Sequence, residues 1–175
     1  MTAAQGLYAE GKAVTANSTT WVDVATIAAG SFTAGAKYLI IASAFARHSN
    51  STNEMRLRLV HGTTPTVFTD GSWAYEVQAN VQETNVAAMY LFTQPGTAEL
   101  VKLQASVSAT DTITVELGQV FALKLDDVGA EDTDYRHNEV TADYTTTSSF
   151  VAQATETWTP NGTDKYLVIA HAVLN

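Results

Sequence analysis

Apolar and polar residues alternate with a period of two along much of this 175-residue chain. The alternation is clearest in four segments, which read EMRLRLV, LVKLQASV, TITVEL and QVFALKL. Strict alternation indicates half-buried strands, with one face on a core and the other in water. The predicted core side of these segments comprises Met55, Leu57, Leu59, Val101, Leu103, Ala105, Val107, Ile113, Val115, Leu117, Phe121, Leu123 and Leu125.

Further strands are predicted over residues 20–28, 37–47, 66–70, 73–78 and 85–94. Turn-forming residues separate the strands at 34–36, 48–53, 61–65, 70–71, 94–96 and 108–111. Asp70-Gly71 between two short strands predicts a tight hairpin. This spacing of eight or nine short strands indicates an all-β fold, an antiparallel β-sandwich or barrel. We expect a jelly-roll-like β-sandwich, and the alternative is an immunoglobulin-like sandwich, which usually has fewer strands in fewer residues.

The chain begins the same pattern twice. VTANSTTWVDVATIAAGSFT from Val14 aligns without a gap with VTADYTTTSSFVAQATETWT from Val140. After a short loop, KYLIIASAFA from Lys37 aligns with KYLVIAHAVL from Lys165. Self-similarity at a fixed spacing is the signature of tandem domains. We therefore predict a second copy of the sandwich after the first.

An acidic segment, DDVGAEDTDYRHNE, separates the two copies. Five of its first nine residues are acidic, which favours a solvated linker. Calcium also prefers carboxylate oxygens, and although the spacing does not match an EF-hand, an inter-domain calcium ion stays open. The predicted organisation is a β-sandwich domain over 1–126, an acidic linker over 127–139 and a partial second repeat over 140–175.

The second copy stops at Asn175, part-way through the pattern of the first. One interpretation is that the chain forms the base of a longer fibre. The other is that strands in 140–175 complete a neighbouring subunit by strand exchange. An unpaired KYLVIAHAVL strand would otherwise present an open apolar edge.

Charge and composition exclude several classes of partner. The net charge of −9 argues against nucleic acid and against an anionic membrane surface. The absence of cysteine excludes disulfides and thiolate metal sites. The first residues lack the features of a signal peptide, and the longest apolar segment is too short to cross a bilayer. We predict a soluble chain with neither a nucleic-acid nor a membrane partner.

No segment carries a catalytic or cofactor-binding motif. His48, His61, His137 and His171 lack metal-ligand spacing, so ordinary hydrogen bonds are expected of them. The sequence contains no nucleophile elbow, phosphate loop or dinucleotide fingerprint. We therefore predict that the chain is not an enzyme and has no cofactor and no metal site.

Aromatic residues are the remaining candidates for ligand binding. They could form a sugar-stacking platform, although aromatics in a β-sandwich more often belong to the core or an interface. Trp73, beside the Asp70-Gly71 turn, is the tryptophan predicted to contact a ligand. The full set considered is Trp21, Trp73, Tyr75, Tyr90, Phe92 and Trp158.

Three segments together resemble the repeated β-sandwich domains of tailed-bacteriophage virion proteins. They are TTWVDVATIAAGSFTAGAKYLIIASA, RLRLVHGT and LVKLQASVSATDTITVELGQVFALKL. The likeness covers most of residues 14–125 and restarts at 140, and it is a pattern of strands that transfers no functional residue. It implies a capsid decoration protein or a fibre, made in the host cytoplasm and located in the virion.

The same resemblance implies contacts with other capsid or tail proteins and a homo-oligomer, for which a trimer is common in fibres. An alternative is a carbohydrate-binding or host-adhesion module of a tail fibre, with a host glycan as partner. A third, a polysaccharide-degrading enzyme, needs a pair of carboxylates in a cleft, which the sequence does not identify.

Overall fold

We describe a computed structural model of the chain, which covers residues 6–48, 54–76, 83–107 and 112–127. For 69–76, 83–86, His48 and Glu54 the description is of the backbone alone. The chain divides into two compact units, Met1–Asp127 and Val128–Asn175, and every described residue belongs to the first. The predicted linker beyond Asp127 and the predicted partial repeat lie outside the described residues.

The described residues form eight β-strands and two short 3-10 helices. The strands are β1 Gly6–Ala16, β2 Val22–Ile27, β3 Lys37–His48, β4 Glu54–His61, β5 Thr66–Glu76, β6 Glu83–Thr93, β7 Val101–Val107 and β8 Ile113–Lys124. The 3-10 helices are Ala29–Ser31 and Leu125–Asp127. Gly35 and Gly62, with φ of 73° and 80°, lie in turns that the sequence predicted.

The strands form two four-stranded antiparallel sheets. Sheet A has the order β1-β8-β3-β6 and sheet B the order β2-β7-β4-β5. Strand 1 therefore pairs with 8, 2 with 7, 3 with 6 and 4 with 5, as in one long hairpin rolled into two layers. This is the eight-stranded jelly roll. The structure thus confirms the predicted all-β jelly-roll sandwich over the immunoglobulin-like alternative.

The core lies between the two sheets, and alternation along the strands determines which residues enter it. In β3, Tyr38, Ile40 and Ala42 are fully buried, at 0 % exposure. Sheet B supplies the two groups predicted from the sequence, which are Met55, Leu57 and Leu59 from β4 and Val101, Leu103, Ala105 and Val107 from β7. Full burial of one large aliphatic side chain stabilises the fold by about 1.5–3 kcal/mol.

The hairpin predicted at Asp70-Gly71 is wrong, because β5 runs without a break from Thr66 to Glu76. Arg58 of β4 pairs with Ser72, whereas Val60 pairs with Val67. Four residues of β5, 68–71, therefore stand opposite one residue of β4. The Asp-Gly signal accompanies an irregularity in an edge strand, where extra residues are tolerated, and not a chain reversal.

The core side predicted for the second half of β8 is also wrong. Val120 and Ala122 are buried in the core, whereas Phe121 and Leu123 lie on the outer side of sheet A. Phe45 of β3 pairs with Leu117, but the next residue pairs with Val115, so β8 carries one extra residue at Glu116. A one-residue bulge moves every following side chain to the opposite face. Leu117 changes face for the same reason.

Two paired glycines line the core where the sides change. Gly11 of β1 pairs with Gly118 of β8, and both lie against Val24 of β2. A Cβ on Gly11 would lie 2.8 Å from the Val24 carbonyl carbon, and one on Gly118 would contact the Val24 side chain. The two sheets therefore approach each other too closely at this point for any larger residue.

Strand β1 was not predicted. Its sequence, GLYAEGKAVTA, contains two glycines and few β-branched residues, so its local preference for a strand is weak. It forms by pairing with β8, more than 100 residues later in the chain, for example Tyr8 with Phe121. Ala13, with a φ of 52°, lies within the same strand, opposite the bulge in β8.

Candidate functional site

The outer side of sheet A carries a surface that we call the apolar face. In β3 the even-numbered residues are buried in the core, so the odd-numbered residues point away from it. The same alternation, with the bulge in β8 included, assigns the outer side chains of the other strands. The apolar face comprises Tyr8, Leu39, Ile41, Phe45, Met89, Leu91, Leu117, Phe121 and Leu123.

The strand register makes this surface continuous across all four strands. One row runs from Tyr8 through Phe121 and Ile41 to Met89. The next row joins Leu123, Leu39 and Leu91. Residues directly opposite each other on neighbouring strands have Cβ atoms about 4.5–5.5 Å apart, so both rows are in contact. Tyr8 is 54 % exposed and the other members are half-buried.

A band of polar groups beside these rows is hydrogen-bonded within the face. The Tyr8 hydroxyl donates to Glu10 Oε2 at 2.6 Å and accepts from Gln119 Nε2 at 2.7 Å. Lys12 Nζ lies 2.9 Å from Glu10 Oε1, and Ser43 Oγ donates to Gln119 Oε1 at 3.4 Å. The five side chains thus form one chain of contacts across β1, β8 and β3.

These contacts stabilise the charged forms of Glu10 and Lys12 and the neutral form of Tyr8. The hydrogen bond from Lys12 lowers the pKa of Glu10, and the Glu10 carboxylate raises the pKa of Lys12. The same carboxylate, by accepting the Tyr8 hydroxyl, raises the pKa of Tyr8. All three groups are therefore held in their ordinary neutral-pH forms, and the arrangement offers no proton-transfer chemistry.

The outer side of sheet B, which we call the polar face, has a different construction. Its centre is Asp23, whose Oδ2 accepts from Lys102 Nζ at 2.6 Å and whose Oδ1 accepts from Gln104 Nε2 at 2.6 Å. Arg58 Nε donates to Gln104 Oε1 at 2.8 Å, and the Arg58 guanidinium lies 4.1 Å from the ring centroid of Trp21. The polar face is thus built around one carboxylate and two cations.

The electrostatics of the polar face follow from these contacts. Burial raises the pKa of Asp23, but hydrogen bonds from Gln104 and Lys102 outweigh it, and the net pKa is lowered. Burial lowers the pKa of Arg58, opposed by the charge of Asp23. The Asp23 carboxylate therefore stays ionised at neutral pH, held between partners from β7.

The structure places three of the candidate aromatic residues in packing roles. Trp21 lies beneath the Arg58 guanidinium. Tyr90 and Phe92 pack against the core, with ring centroids 5.4 Å and 4.9 Å from that of Phe68. These contacts fit the core and interface roles usual for aromatics in a sandwich.

Trp73, the predicted ligand contact, lies in β5, and its backbone pairs with Leu57. Its side chain is outside the description, as are the side chain of Tyr75 and the whole of Trp158. The ligand contact at Trp73 therefore stays a prediction.

His61 is the candidate histidine whose side chain is described. Its Nδ1 lies 2.6 Å from Glu99 Oε2, and its ring centroid is 5.1 Å from that of Phe68 and 4.9 Å from that of Phe92. Gln94, 1 % exposed, holds the loop that carries Glu99 through two hydrogen bonds to its backbone. This is the ordinary hydrogen bonding predicted for His61. The side chain of His48 and all of His137 and His171 lie outside the description.

Within the described residues, no group of His, Asp and Glu side chains is large and close enough to hold a metal ion. In the same part of the chain, no helix has the length and apolar character needed to cross a membrane.

Sequence reasoning missed the apolar face, although the sequence carries a signal for it. YLIIASAF in β3 and VFAL in β8 contain apolar residues at both odd and even positions. Such continuous runs are typical of strands that are covered on both faces. A period of two indicates which side of a strand enters the core, but by itself it gives no information about what covers the opposite side of the strand.

Comparison with known proteins identifies no family for this chain. No family model and no curated protein matches the sequence. Among solved structures, the Eiger TNF of S. frugiperda aligns with 79 % of this chain and 99 % of its own, at 9 % identity and a TM-score of 0.49. The jelly-roll assignment rests on the strand order described above.

Proposed function

We propose that this chain is a structural component of a tailed-bacteriophage particle, a capsid decoration protein or a fibre that acts through protein–protein contacts. The observation that carries the proposal is the apolar face, which extends over four strands of a rigid sandwich. Large contiguous apolar surfaces on a folded domain mark interaction sites. The resemblance of the strand pattern to phage virion proteins is the reason for proposing a phage particle as the assembly.

In this proposal the partners are other capsid or tail proteins and further copies of the chain, arranged as a homo-oligomer such as a trimer. The chain performs no chemical turnover in this role. A jelly roll suits it because its two sheets pack against each other through the core, while the apolar face lies on the outer side of sheet A. The low charged fraction of 15 % is compatible with dense packing of subunits.

The test is the composition of virus particles from the native source. Particles are banded on a density gradient and their proteins quantified by mass spectrometry. The proposal predicts peptides of this chain in the particle band, at a fixed copy number relative to the major capsid protein. A copy number close to that of the capsid protein would indicate a head location, and a few copies a tail location. Peptides confined to the soluble fraction would contradict the proposal.

A further inference from the structure

The apolar face belongs to strands whose sequences suit burial on both sides. In β3, Leu39, Ile41 and Phe45 alternate with the core residues between them, so every position from Tyr38 to Ala46 except Ser43 is apolar. In β4 the core residues Met55, Leu57 and Leu59 instead alternate with Arg56 and Arg58, which is the pattern of an antiparallel sheet that faces water on one side. Sheet A therefore has the composition of a sheet that is covered on its outer side as well.

The polar groups on this face do not oppose its burial. Tyr8, Glu10, Lys12, Gln119 and Ser43 already contact one another across three strands. Covering a polar group is costly when it loses water without gaining a partner. Because these groups keep their partners within the face, a covering molecule need not supply new ones.

The charges on the face suit a second copy of this chain as the covering molecule. The described charged side chains there are Glu10, Glu116, Lys12, Lys37 and Arg47, two carboxylates and three cations. Arg47 Nε lies 2.7 Å from Glu116 Oε1, so this pair, like Lys12 and Glu10, is neutralised within the face. The whole chain has a charge of −9, so contact between two copies is opposed less at a face that carries no net negative charge.

The outer side of sheet A, of which the apolar face is a part, is close to the size that a stable contact requires. Sheet A is four strands wide, and β3 is 12 residues long. At ~3.4 Å per residue and ~4.8 Å between strands, the sheet measures roughly 40 Å by 19 Å, or about 750 Å². A standard specific interface buries about 800 Å² on each partner. The apolar centre and charged margin also reproduce the usual anatomy of an interface.

We propose that the apolar face is the contact surface between copies of this chain, formed by the outer sides of β1, β8, β3 and β6. The inference deepens the proposed function, since it rests on a role in protein–protein contact and names the surface and its partner. In the assembled form, Ile41 and Phe121 would lie at the centre of the contact and the two ion pairs at its margin.

The first test uses the absence of cysteine from the natural sequence. Ser43→Cys in the full chain places one thiol in the middle of the apolar face, and Thr26→Cys places one on the exposed outer side of sheet B as the matched control. The labelling rate with a maleimide is measured over a range of protein concentrations, with the molar mass of each sample determined by sedimentation. We expect labelling of Ser43→Cys in the oligomer to be at least about tenfold slower than after dilution to single chains, by mass action. Thr26→Cys should react at one rate throughout.

Two results would overturn the inference. One is fast labelling of Ser43→Cys in a sample that sediments as an oligomer, because the oligomer would then use another surface. The other is a sample with the mass of a single chain at every concentration. If labelling is slow in such a sample, residues 128–175 of the same chain provide the cover, and if it is fast, the face is open.

The second test introduces a charge into the centre of the face. Ile41→Glu is expected to convert the full chain from an oligomer to single chains, and Thr26→Glu is expected to leave the oligomer intact. The circular dichroism spectrum reports whether each variant is folded, and Ile41→Thr is a milder change, expected to weaken association, if Ile41→Glu fails to fold. A folded Ile41 variant that associates as tightly as the natural chain would contradict the inference.

These tests and the particle experiment can fail independently. A chain that self-associates through the apolar face but is absent from virus particles would remove the proposed function and leave the interface. A chain that is found in virus particles, but whose Ser43→Cys thiol is not protected from labelling, would remove the proposed interface and leave the proposed function.

Discussion

The two outer faces of this sandwich differ in how their side chains are satisfied. On the polar face, Asp23, Gln104 and Arg58 contact one another within a single chain. On the apolar face, Ile41 and Phe121 are directly opposite each other in the strand register, and both side chains are only half-buried. The comparison teaches that a two-layer fold can satisfy the side chains of one outer face within a single chain and leave those of the other outer face for a partner.

The difference begins in the core beneath sheet A. The bulge at Glu116 directs Gly118, Val120 and Ala122 inwards and the larger Phe121 and Leu123 outwards. Small residues on the core side of β8 allow the two sheets to approach closely. The larger apolar side chains of β8 lie on the outer side instead, where they form part of the apolar face. The apolar face is thus linked to the tight contact between the sheets.

The largest effect is expected from a change that breaks this tight contact. Gly11→Ala would place a Cβ against the carbonyl group of Val24, a backbone group that cannot turn aside. We expect the free energy of unfolding to fall by about 3 kcal/mol, the upper part of the range for overpacking. Chemical denaturation measures it. Gly30→Ala is the control, since a Cβ there meets nothing within 4 Å, and equal effects of the two changes would contradict this account of the core.

A smaller effect is expected from removing the bridging amide of the polar face. Gln104 is 5 % exposed and connects Arg58 with Asp23. Gln104→Ala leaves both partners short of a hydrogen bond in a partly buried setting, at a cost of about 1–3 kcal/mol. Urea titration at low protein concentration measures the loss.

The matched change on the apolar face is Gln119→Ala, which removes an amide from an exposed network. Its expected effect on the unfolding of single chains is within about 0.5 kcal/mol, as for most surface changes. Equal losses of stability in the two glutamine variants would contradict the claim that the polar face satisfies its side chains within a single chain more fully than the apolar face does.

A separate effect concerns the pH dependence of the polar face. The pKa of Asp23 is lowered in the folded chain, so its stabilising contribution is present above its ordinary value of 3.8 and is lost as the pH falls through the folded value. Relative to Asp23→Asn, the natural chain should be more stable by about 0.5–1 kcal/mol at neutral pH, a screened value for a partly exposed ion pair. The advantage should disappear in strong acid.

Thermal unfolding of both proteins across the acid range checks this expectation. Glu10→Gln on the apolar face should give a dependence of the same sign, because the pKa of Glu10 is also lowered. A stability difference for Asp23→Asn that grows as the pH falls would have the wrong sign for this account.

The sequence predicted those parts of the fold in which local pattern and tertiary contact agree. The alternation in β4 and β7 predicted the buried sides of Met55 and Leu103 correctly. The pattern could not reveal the change of sides in β8, which follows from the bulge at Glu116, or the existence of β1, which forms by pairing with the distant β8. The Asp70-Gly71 signal predicts a hairpin because the dipeptide alone does not distinguish a tight turn from an irregularity within a strand.

The candidate surface could be predicted only in part. Trp73 was selected for its residue type and its neighbouring turn, and neither property shows what a side chain contacts. The apolar face is composed of ordinary aliphatic residues, which become a surface only when β1, β8, β3 and β6 lie side by side. The signal in the sequence was the pair of runs YLII and VFAL, which are apolar on both sides of a strand.

The most direct test of the central claim uses two natural methionines in the unmodified chain. Met89 lies on the apolar face, and Met55, 1 % exposed in the core, is an internal reference. Oxidation by peroxide follows exposure of the thioether and is measured by mass spectrometry over a range of protein concentrations. The account predicts slow oxidation of Met89 in the associated protein and faster oxidation on dilution, while Met55 stays constant. A rate for Met89 that is the same at every concentration would contradict it.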